Sequence, residues 1–119
     1  VSHISAITLA VTDMGRSVDF YQKLGLTLYY GEKDSVFVSL RAGADTINLI
    51  LDADRANVWW GRVILRVDST DAVYKLLLGK GLNPEEPQDA IWGERFFHIR
   101  DPDGHEISFA ESLTKDTLC

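Results

Sequence analysis

The chain has 119 residues, of which 45% are hydrophobic and 25% charged, values typical of one globular domain with an apolar core. Its formal net charge of −6 repels phosphate backbones and anionic lipid surfaces, which argues against nucleic acid and membranes as partners. No run approaches the roughly 20 apolar residues that a membrane helix needs, and residues 1–4 lead into a strand pattern rather than a signal segment. We therefore expect a cytoplasmic protein, in which the single cysteine, Cys119, leaves no intrachain disulfide and carries no function.

The first predicted elements are a strand and a helix. Residues 7–11 alternate large apolar with small side chains, the pattern of a strand with one face on a core. Thr12 or Asp13 can cap the helix that follows, and Gly25 can end it. The apolar stripe of this helix comprises Ser17, Phe20, Tyr21 and Leu24.

The same pattern occurs a second time. Residues 63–67 predict a strand, residues 68–70 supply a helix cap, and Gly81 ends the helix, whose predicted stripe is Val73, Leu76 and Leu77. Val11 and Val67 are 56 residues apart, as are Gly25 and Gly81. This constant spacing indicates an internal duplication.

After each helix the sequence predicts three more strands separated by turns. The predicted segments are 26–30, 36–40 and 47–51 in the first half, and a short piece near Leu82, 96–100 and 106–110 in the second. Each half is thus a βαβββ unit, giving an α+β fold and a single domain, 1–119. Module 1 spans about 1–55, module 2 about 58–112, and 113–119 form a C-terminal tail. Because each helix covers one face of its strands, we expect the uncovered faces to line one cup.

Two stretches resemble the vicinal-oxygen-chelate superfamily, which includes glyoxalases, bleomycin-resistance proteins and dioxygenases. The opening stretch is 3–13 followed by Ser17, Phe20-Tyr21 and Leu24-Gly25; the closing stretch is 92–97, then 101–104 and Phe109, in the form of bleomycin-resistance-like members. The resemblance covers nearly the whole chain in order and implies two tandem βαβββ modules that form a cupped mixed sheet. Function stays open, since the superfamily contains isomerases, dioxygenases, transferases and inert drug binders.

The resemblance also implies where a metal would bind in metal-dependent members. Those positions correspond here to Ala6 and Arg62 in the first strands of the halves, about Asn48 in the fourth strand, and Ser108 in the last. Ala has no donor, Arg has no lone pair to give, and Asn and Ser are neutral, weak ligands. We therefore predict a chain without a metal or other cofactor.

His98 is the leading candidate for chemistry, because the resemblance points it into the cup, where dioxygenases of the superfamily place a Tyr. Simple hairpin pairing around 101–104 would instead place Phe97 on the face of Ser108. His98 could then point into the cup only if a bulge shifted the register of the hairpin. His3 and His105 are interpreted as surface residues, near a terminus and in a turn. We interpret the Asp101-Pro102-Asp103-Gly104 segment as a structural turn.

Arg62 places a permanent cation where a metal ligand would lie. Strand alternation directs Val63 and Leu65 toward the helices, so Arg62 should point to the other face and pair there with a ligand anion or with an acid such as Glu106. Trp59 and Trp60 precede it, and Trp92 opens the last hairpin, so we expect three Trp side chains to cluster at the rim. Such a cluster suits either a flat ligand or a dimer interface.

Two functions of the cup compete at this point, beside a third interpretation in which the dimer surface, not the cup, carries the function. The first is a homodimeric binding protein that sequesters an aromatic or polar small molecule in the cup, with ligand charge undetermined. The alternative is a superfamily enzyme, a lyase, isomerase or dioxygenase, that uses His98 as a general base or a metal site that the comparison of positions has missed. The predicted ligand-binding residues are Asn48, Trp60, Arg62, Trp92, His98 and Ser108.

Overall fold

The structure, a computed structural model, describes residues 1–114. These residues divide into two compact units. The first comprises Val1–Val58 with Asp101–Asp103, and the second comprises Trp59–Arg100 with the described residues from Gly104 onward. No helix within 1–114 is long and apolar enough to cross a membrane. Cys119 and most of the predicted C-terminal tail lie outside the described residues.

The first unit is a βαβββ module whose last strand returns beside its first. The elements are β1 (Ile7–Val11), α1 (Met14–Lys23), β2 (Thr27–Tyr30), β3 (Phe37–Ala42) and β4 (Asp45–Leu51). The strands form a four-stranded sheet in the order β1-β4-β3-β2, in which β1 and β4 are parallel and the other pairs antiparallel. Helix α1 packs against β2 and β4.

The second unit repeats this arrangement with the elements β5 (Arg62–Arg66), α2 (Thr70–Gly79), β6 (Gln88–Asp89), β7 (Glu94–Arg100) and β8 (Glu106–Ser112). The strand order is β5-β8-β7-β6, in which β5 and β8 are parallel. Helix α2 packs against β7 and β8. The fold is therefore α+β with two βαβββ modules, as the sequence predicts.

Both helices begin and end 56 residues apart, which confirms the predicted spacing. The side chain of Asp13 accepts a hydrogen bond from the Arg16 N–H and caps α1. Gly25 and Gly81 follow the helices with φ of 107° and 82°, a left-handed conformation that glycine adopts at little cost.

Ser69 caps α2 and lies within the predicted residues 68–70, whereas two other details of the second module differ from the sequence predictions. Leu76 is 56% exposed, because the buried stripe of α2 runs through Thr70 and Leu77 and leaves Leu76 to one side. The short strand predicted near Leu82 begins only at Gln88, since prolines at 84 and 87 remove the N–H groups that a strand needs.

Each sheet has one apolar face directed at its helix and one open face. In the first sheet Leu9, Val38 and Leu49 are almost fully buried, and in the second Phe97 and Ile107 are. Phe97 stacks on Phe109 with ring centroids 5.1 Å apart. The core of each module thus fixes which residues of every strand lie on the opposite, open face.

The Asp101–Asp103 turn is built into the first unit by side-chain hydrogen bonds. The Tyr21 hydroxyl donates to Asp101 Oδ2 at 2.7 Å, with both residues buried. The Thr12 hydroxyl and backbone N–H donate to Asp103 at 2.6 and 3.1 Å. Burial, then the charge and hydrogen bond of Asp101, raise the pKa of Tyr21 well above its ordinary value. These contacts support a structural role for the turn.

Candidate functional site

The open face of the second sheet consists of side chains in three cross-strand rows. Strand register aligns each residue of β5 with one of β8 and one of β7. The charged row is Arg62, Glu106 and Arg100; the middle row is Ile64, Ser108 and His98; the third row is Arg66, Ala110 and Phe96. We refer to these rows together as the open face of the second sheet.

His98 lies on this face beside Ser108. The two residues are register partners, and His98 Nδ1 is 2.6 Å from the Ser108 hydroxyl oxygen. Phe97 pairs with Phe109 on the helix side, so the simple hairpin that would place Phe97 beside Ser108 is wrong. The five-residue connection 101–105 sets the observed register. Ser108 is buried and holds the orientation of the imidazole through this hydrogen bond.

Glu106 lies between two arginines in the charged row. Its carboxylate accepts a short hydrogen bond from Arg62 Nε and lies 3.6 Å from Arg100 NH2. Burial acts to raise the pKa of Glu106, but the hydrogen bond and charge of Arg62 outweigh it, and charges on His98 and Arg100 act in the same direction. The pKa of Glu106 therefore lies below its ordinary value, and the carboxylate remains ionised.

Arg62 thus has the protein partner that the sequence left as one of two alternatives. Its side chain lies on the face opposite to Val63, as alternation predicts, and remains 41% exposed while Glu106 is 7% exposed. Trp59 lies next to the guanidinium, with its ring centroid 5.8 Å from Arg62 Cζ. One side of the charged row is therefore accessible.

Aromatic rings form a continuous line on the same face. Trp92 stacks on Phe96 with centroids 6.1 Å apart and an angle of 16° between the ring planes. Phe96 in turn contacts His98 at 5.1 Å. The Trp92 indole N–H donates to Glu94 at 2.7 Å, which fixes the orientation of the exposed ring. We call Trp92, Phe96 and His98, which follow one another along the chain rather than across the strands, the ring row.

The three tryptophans do not cluster as the sequence suggests. Trp59 and Trp60 precede the Arg62 end of the sheet, whereas Trp92 precedes Glu94, which the register places at the opposite end. The Trp60 indole N–H donates to His105 Nδ1 at 2.7 Å. His105 is 4% exposed, so its assignment to the surface is wrong: the indole covers a turn residue 45 positions away. His3 is exposed, as expected.

Asn48 lies on the open face of the first sheet, in a row with Thr8 and Ser39. The Ser39 hydroxyl donates to Asn48 Oδ1 at 2.7 Å, and Asn48 Nδ2 donates to the Thr8 hydroxyl at 3.3 Å. Asn48 is thus half-buried and held within a neutral polar row.

The residues at the superfamily's metal positions do not fit a divalent ion. Ala6 lies just before β1, Asn48 bonds to its row, Arg62 is paired with Glu106, and Ser108 bonds to His98. Within residues 1–114 there is no group of three or more His, Cys, Asp or Glu side chains that could hold a metal ion. The donor set available here offers neutral oxygens and a guanidinium, which are poor ligands for such an ion.

Sequence reasoning missed Phe96 and Arg100 as members of this face. Both lie two positions from His98 along β7, so strand alternation assigns them to the same face once His98 is placed. A second surface feature lies in the first unit, where the β2–β3 connection forms a depression of about 590 Å³ lined by Tyr30, Gly31, Glu32, Ser35, Val36 and Phe37.

Comparison with known proteins places the fold in context. The family model for the Glyoxalase/Bleomycin resistance protein/Dioxygenase superfamily matches residues 3–109. No curated protein sequence matches this chain. The antibiotic-binding protein TnmS3 of a Streptomyces species is 22% identical, with a TM-score of 0.79 over 94% of this chain and 97% of that one.

Two further solved structures have the same fold. A bleomycin resistance determinant encoded on transposon Tn5 is 18% identical, with a TM-score of 0.80 over 95% of this chain and 100% of that one. A lactoylglutathione lyase from Agrobacterium tumefaciens is 20% identical, with a TM-score of 0.79 over 98% of each chain. The match of the family model over residues 3–109 shows that this chain belongs to the Glyoxalase/Bleomycin resistance protein/Dioxygenase superfamily.

Proposed function

We propose that this chain binds an aromatic or polar small molecule on the open face of the second sheet, without a metal ion and without transforming the molecule. The observation that carries this proposal is the ring row, Trp92, Phe96 and His98, whose members contact one another in sequence. A flat ligand gains apolar contact and stacking on such a surface.

The polar side chains beside the ring row would orient a bound molecule. Ser108 fixes the ring of His98, and Arg62 presents an accessible guanidinium at the far end of β5. A few placed polar groups within an aromatic surface are typical of small-molecule sites. Trp60, which precedes β5, is proposed as a further contact of this ligand. Asn48 lies on the open face of the first sheet and is proposed as a ligand contact on that sheet only.

A thermal-shift screen with planar aromatic compounds, including naphthalene-2-carboxamide, tests this proposal. We expect compounds that raise the melting temperature to lose at least about tenfold in affinity in Phe96→Ala, because the middle ring of the row is removed. Phe37→Ala is the matched control, since Phe37 lies in β3 and contacts the exposed Tyr30 at 6.4 Å. Equal losses in both variants, or a loss only in Phe37→Ala, would refute the proposed location.

The metal-free part of the proposal has its own test. Purified protein should contain less than one divalent ion per ten chains by elemental analysis, and ligand affinity should not change after treatment with a chelator. A stoichiometric ion whose removal abolishes binding would contradict it. The residues at the four positions support the expected result, because Ala6 and Arg62 have no lone pair to give and Asn48 and Ser108 are neutral, weak ligands.

An enzyme of the superfamily type is the second candidate, favoured by the contact between His98 and Ser108. An imidazole held in one orientation by a hydroxyl can act as a general acid or base toward a ligand on the ring row. Turnover of a bound compound that is lost in His98→Gln, while binding persists, would establish this function in place of sequestration.

We further propose a homodimer, since Val58, Trp59 and Ile91 expose large apolar surfaces within the described chain. Sedimentation as a monomer at tens of micromolar would contradict the dimer.

We also propose a cytoplasmic location, consistent with a sequence that has one cysteine and so forms no internal disulfide. Cell fractionation checks this expectation.

A further inference from the structure

The charged row of the second sheet has an unequal balance of charges. Two guanidinium groups, Arg62 and Arg100, share the single carboxylate of Glu106. The row therefore carries one net positive charge in a chain whose formal net charge is −6. A positive surface within an acidic protein indicates a ligand group of opposite sign.

The contacts with Glu106 leave part of each guanidinium side chain exposed to solvent. Arg62 uses Nε for Glu106, and its two terminal nitrogens donate to no other side chain within residues 1–114. Arg100 donates to the Gly104 carbonyl at 3.3 Å and lies 3.6 Å from Glu106. The side chains of Arg62 and Arg100 are 41% and 57% exposed, so an incoming group reaches them without displacing the buried Glu106.

We propose that the small molecule carries a carboxylate, which binds Arg62 and Arg100 while its aromatic part lies toward the ring row. A guanidinium donates two parallel N–H groups to a planar carboxylate, and one carboxylate charge neutralises the row. In this arrangement Glu106 limits the row to a single excess charge, because its carboxylate neutralises one of the two guanidinium groups. The inference rests on the proposed small-molecule function and names its ligand class.

The test compares naphthalene-2-carboxylate with its neutral isostere, naphthalene-2-carboxamide, by isothermal titration calorimetry. We expect the wild-type protein to prefer the carboxylate by about tenfold or more. Intrinsic tryptophan fluorescence provides a second readout of binding, since Trp59 lies next to Arg62 and Trp92 belongs to the ring row.

Three variants and a control define the charged row. Arg62→Gln and Arg100→Gln should reduce the preference to below about threefold, whereas Glu106→Gln should increase it, because both guanidinium groups then lack their acid. Arg95→Gln is the control: Arg95 lies on β7, as Arg100 does, but on the opposite face of the sheet, where it pairs with Asp71 at 3.1 Å and Asp89 at 2.9 Å, so its loss should leave the preference unchanged. Circular dichroism verifies that each variant is folded.

The outcomes separate this inference from the function on which it rests. Equal affinity for the two compounds, or a preference that survives Arg62→Gln and Arg100→Gln, would overturn the carboxylate assignment and leave small-molecule binding intact. A preference that falls equally in Arg95→Gln would show a general charge effect and would also overturn it. If neither compound nor any other planar aromatic binds, both the inference and the proposed function are refuted.

Discussion

The open face of the first sheet carries a neutral row, Thr8, Asn48 and Ser39, whose side chains bond to one another at 2.7 and 3.3 Å. The corresponding face of the second sheet carries the charged row and the ring row. The helices differ as well: α1 buries five of its residues, whereas α2 buries only Thr70 and Leu77. The two modules thus keep the same lengths of first strand, helix and last strand while their side chains diverge, with more helix burial in the first module and more ionic and aromatic chemistry in the second.

Substitutions at equivalent helix positions give the largest expected contrast. Phe20 and Leu76 are 56 residues apart, but Phe20 is 7% exposed and Leu76 is 56% exposed. We expect Phe20→Ala to lower the free energy of unfolding by about 3–5 kcal/mol and Leu76→Ala by less than about 1 kcal/mol. Chemical denaturation measures both, and equal losses would show that the modules bury their helices alike.

The Tyr21–Asp101 hydrogen bond tests the polar part of the first unit. Tyr21→Phe removes the donor and leaves the buried Asp101 carboxylate with one partner fewer, which should cost about 1–3 kcal/mol. Because folding raises the pKa of Tyr21, its contribution is complete below pH of about 10 and is lost as the pH rises further. The phenylalanine variant should lack this alkaline loss; an unchanged alkaline profile would contradict the assignment.

Glu106 predicts an acid-sensitive contribution from the second sheet. Its pKa is lower in the folded chain than its ordinary value, so its contribution is present above that value and is lost as the pH falls toward the folded pKa. Urea denaturation from pH 7 down to pH 3 should show this decline, and Glu106→Gln should flatten it. A decline of the same size in Glu106→Gln would assign the acid sensitivity to other carboxylates.

The smallest expected effect compares the two serines on the open faces. Ser108→Ala frees the His98 ring, which should weaken binding of an aromatic probe by about three- to tenfold, the usual scale of one hydrogen bond. Ser39→Ala removes the comparable bond to Asn48 in the neutral row and should leave affinity unchanged. Calorimetric titration of both variants with one probe measures the two affinities. A larger loss of affinity in Ser39→Ala than in Ser108→Ala would indicate that the probe binds on the first sheet.

The parts of the fold that depend on local patterns could be predicted from the sequence. Local signals predict these parts: the alternation of strand residues, the capping residues and the glycine after each helix. The signal is stronger because Gly25 and Gly81 end the equivalent helices of the two halves. Leu76 was placed wrongly because Leu76 and Leu77, three and four residues after Val73, both have the spacing of a helical stripe that contains Val73. Only Leu77 is buried. The register of β7 and β8 could not be derived, since it depends on the length of the connecting turn.

Contacts between distant residues account for most of what the sequence did not predict in the site. The burial of His105 depends on Trp60, and the role of Asp101 depends on Tyr21, 80 residues away. A signal existed for the second case, because a tyrosine on a buried helical stripe needs a partner for its hydroxyl. Nothing in the composition identified Arg100 as the second guanidinium on Glu106.

Nuclear magnetic resonance mapping tests the central claim, that a small molecule binds the open face of the second sheet, most directly. Titration of uniformly ¹⁵N-labelled protein with naphthalene-2-carboxylate should shift the backbone amide signals of β5, β7 and β8, with the largest changes near Arg62, His98 and Ser108. Shifts confined to the depression between Tyr30 and Phe37, or no shifts at saturating probe, would contradict the claim.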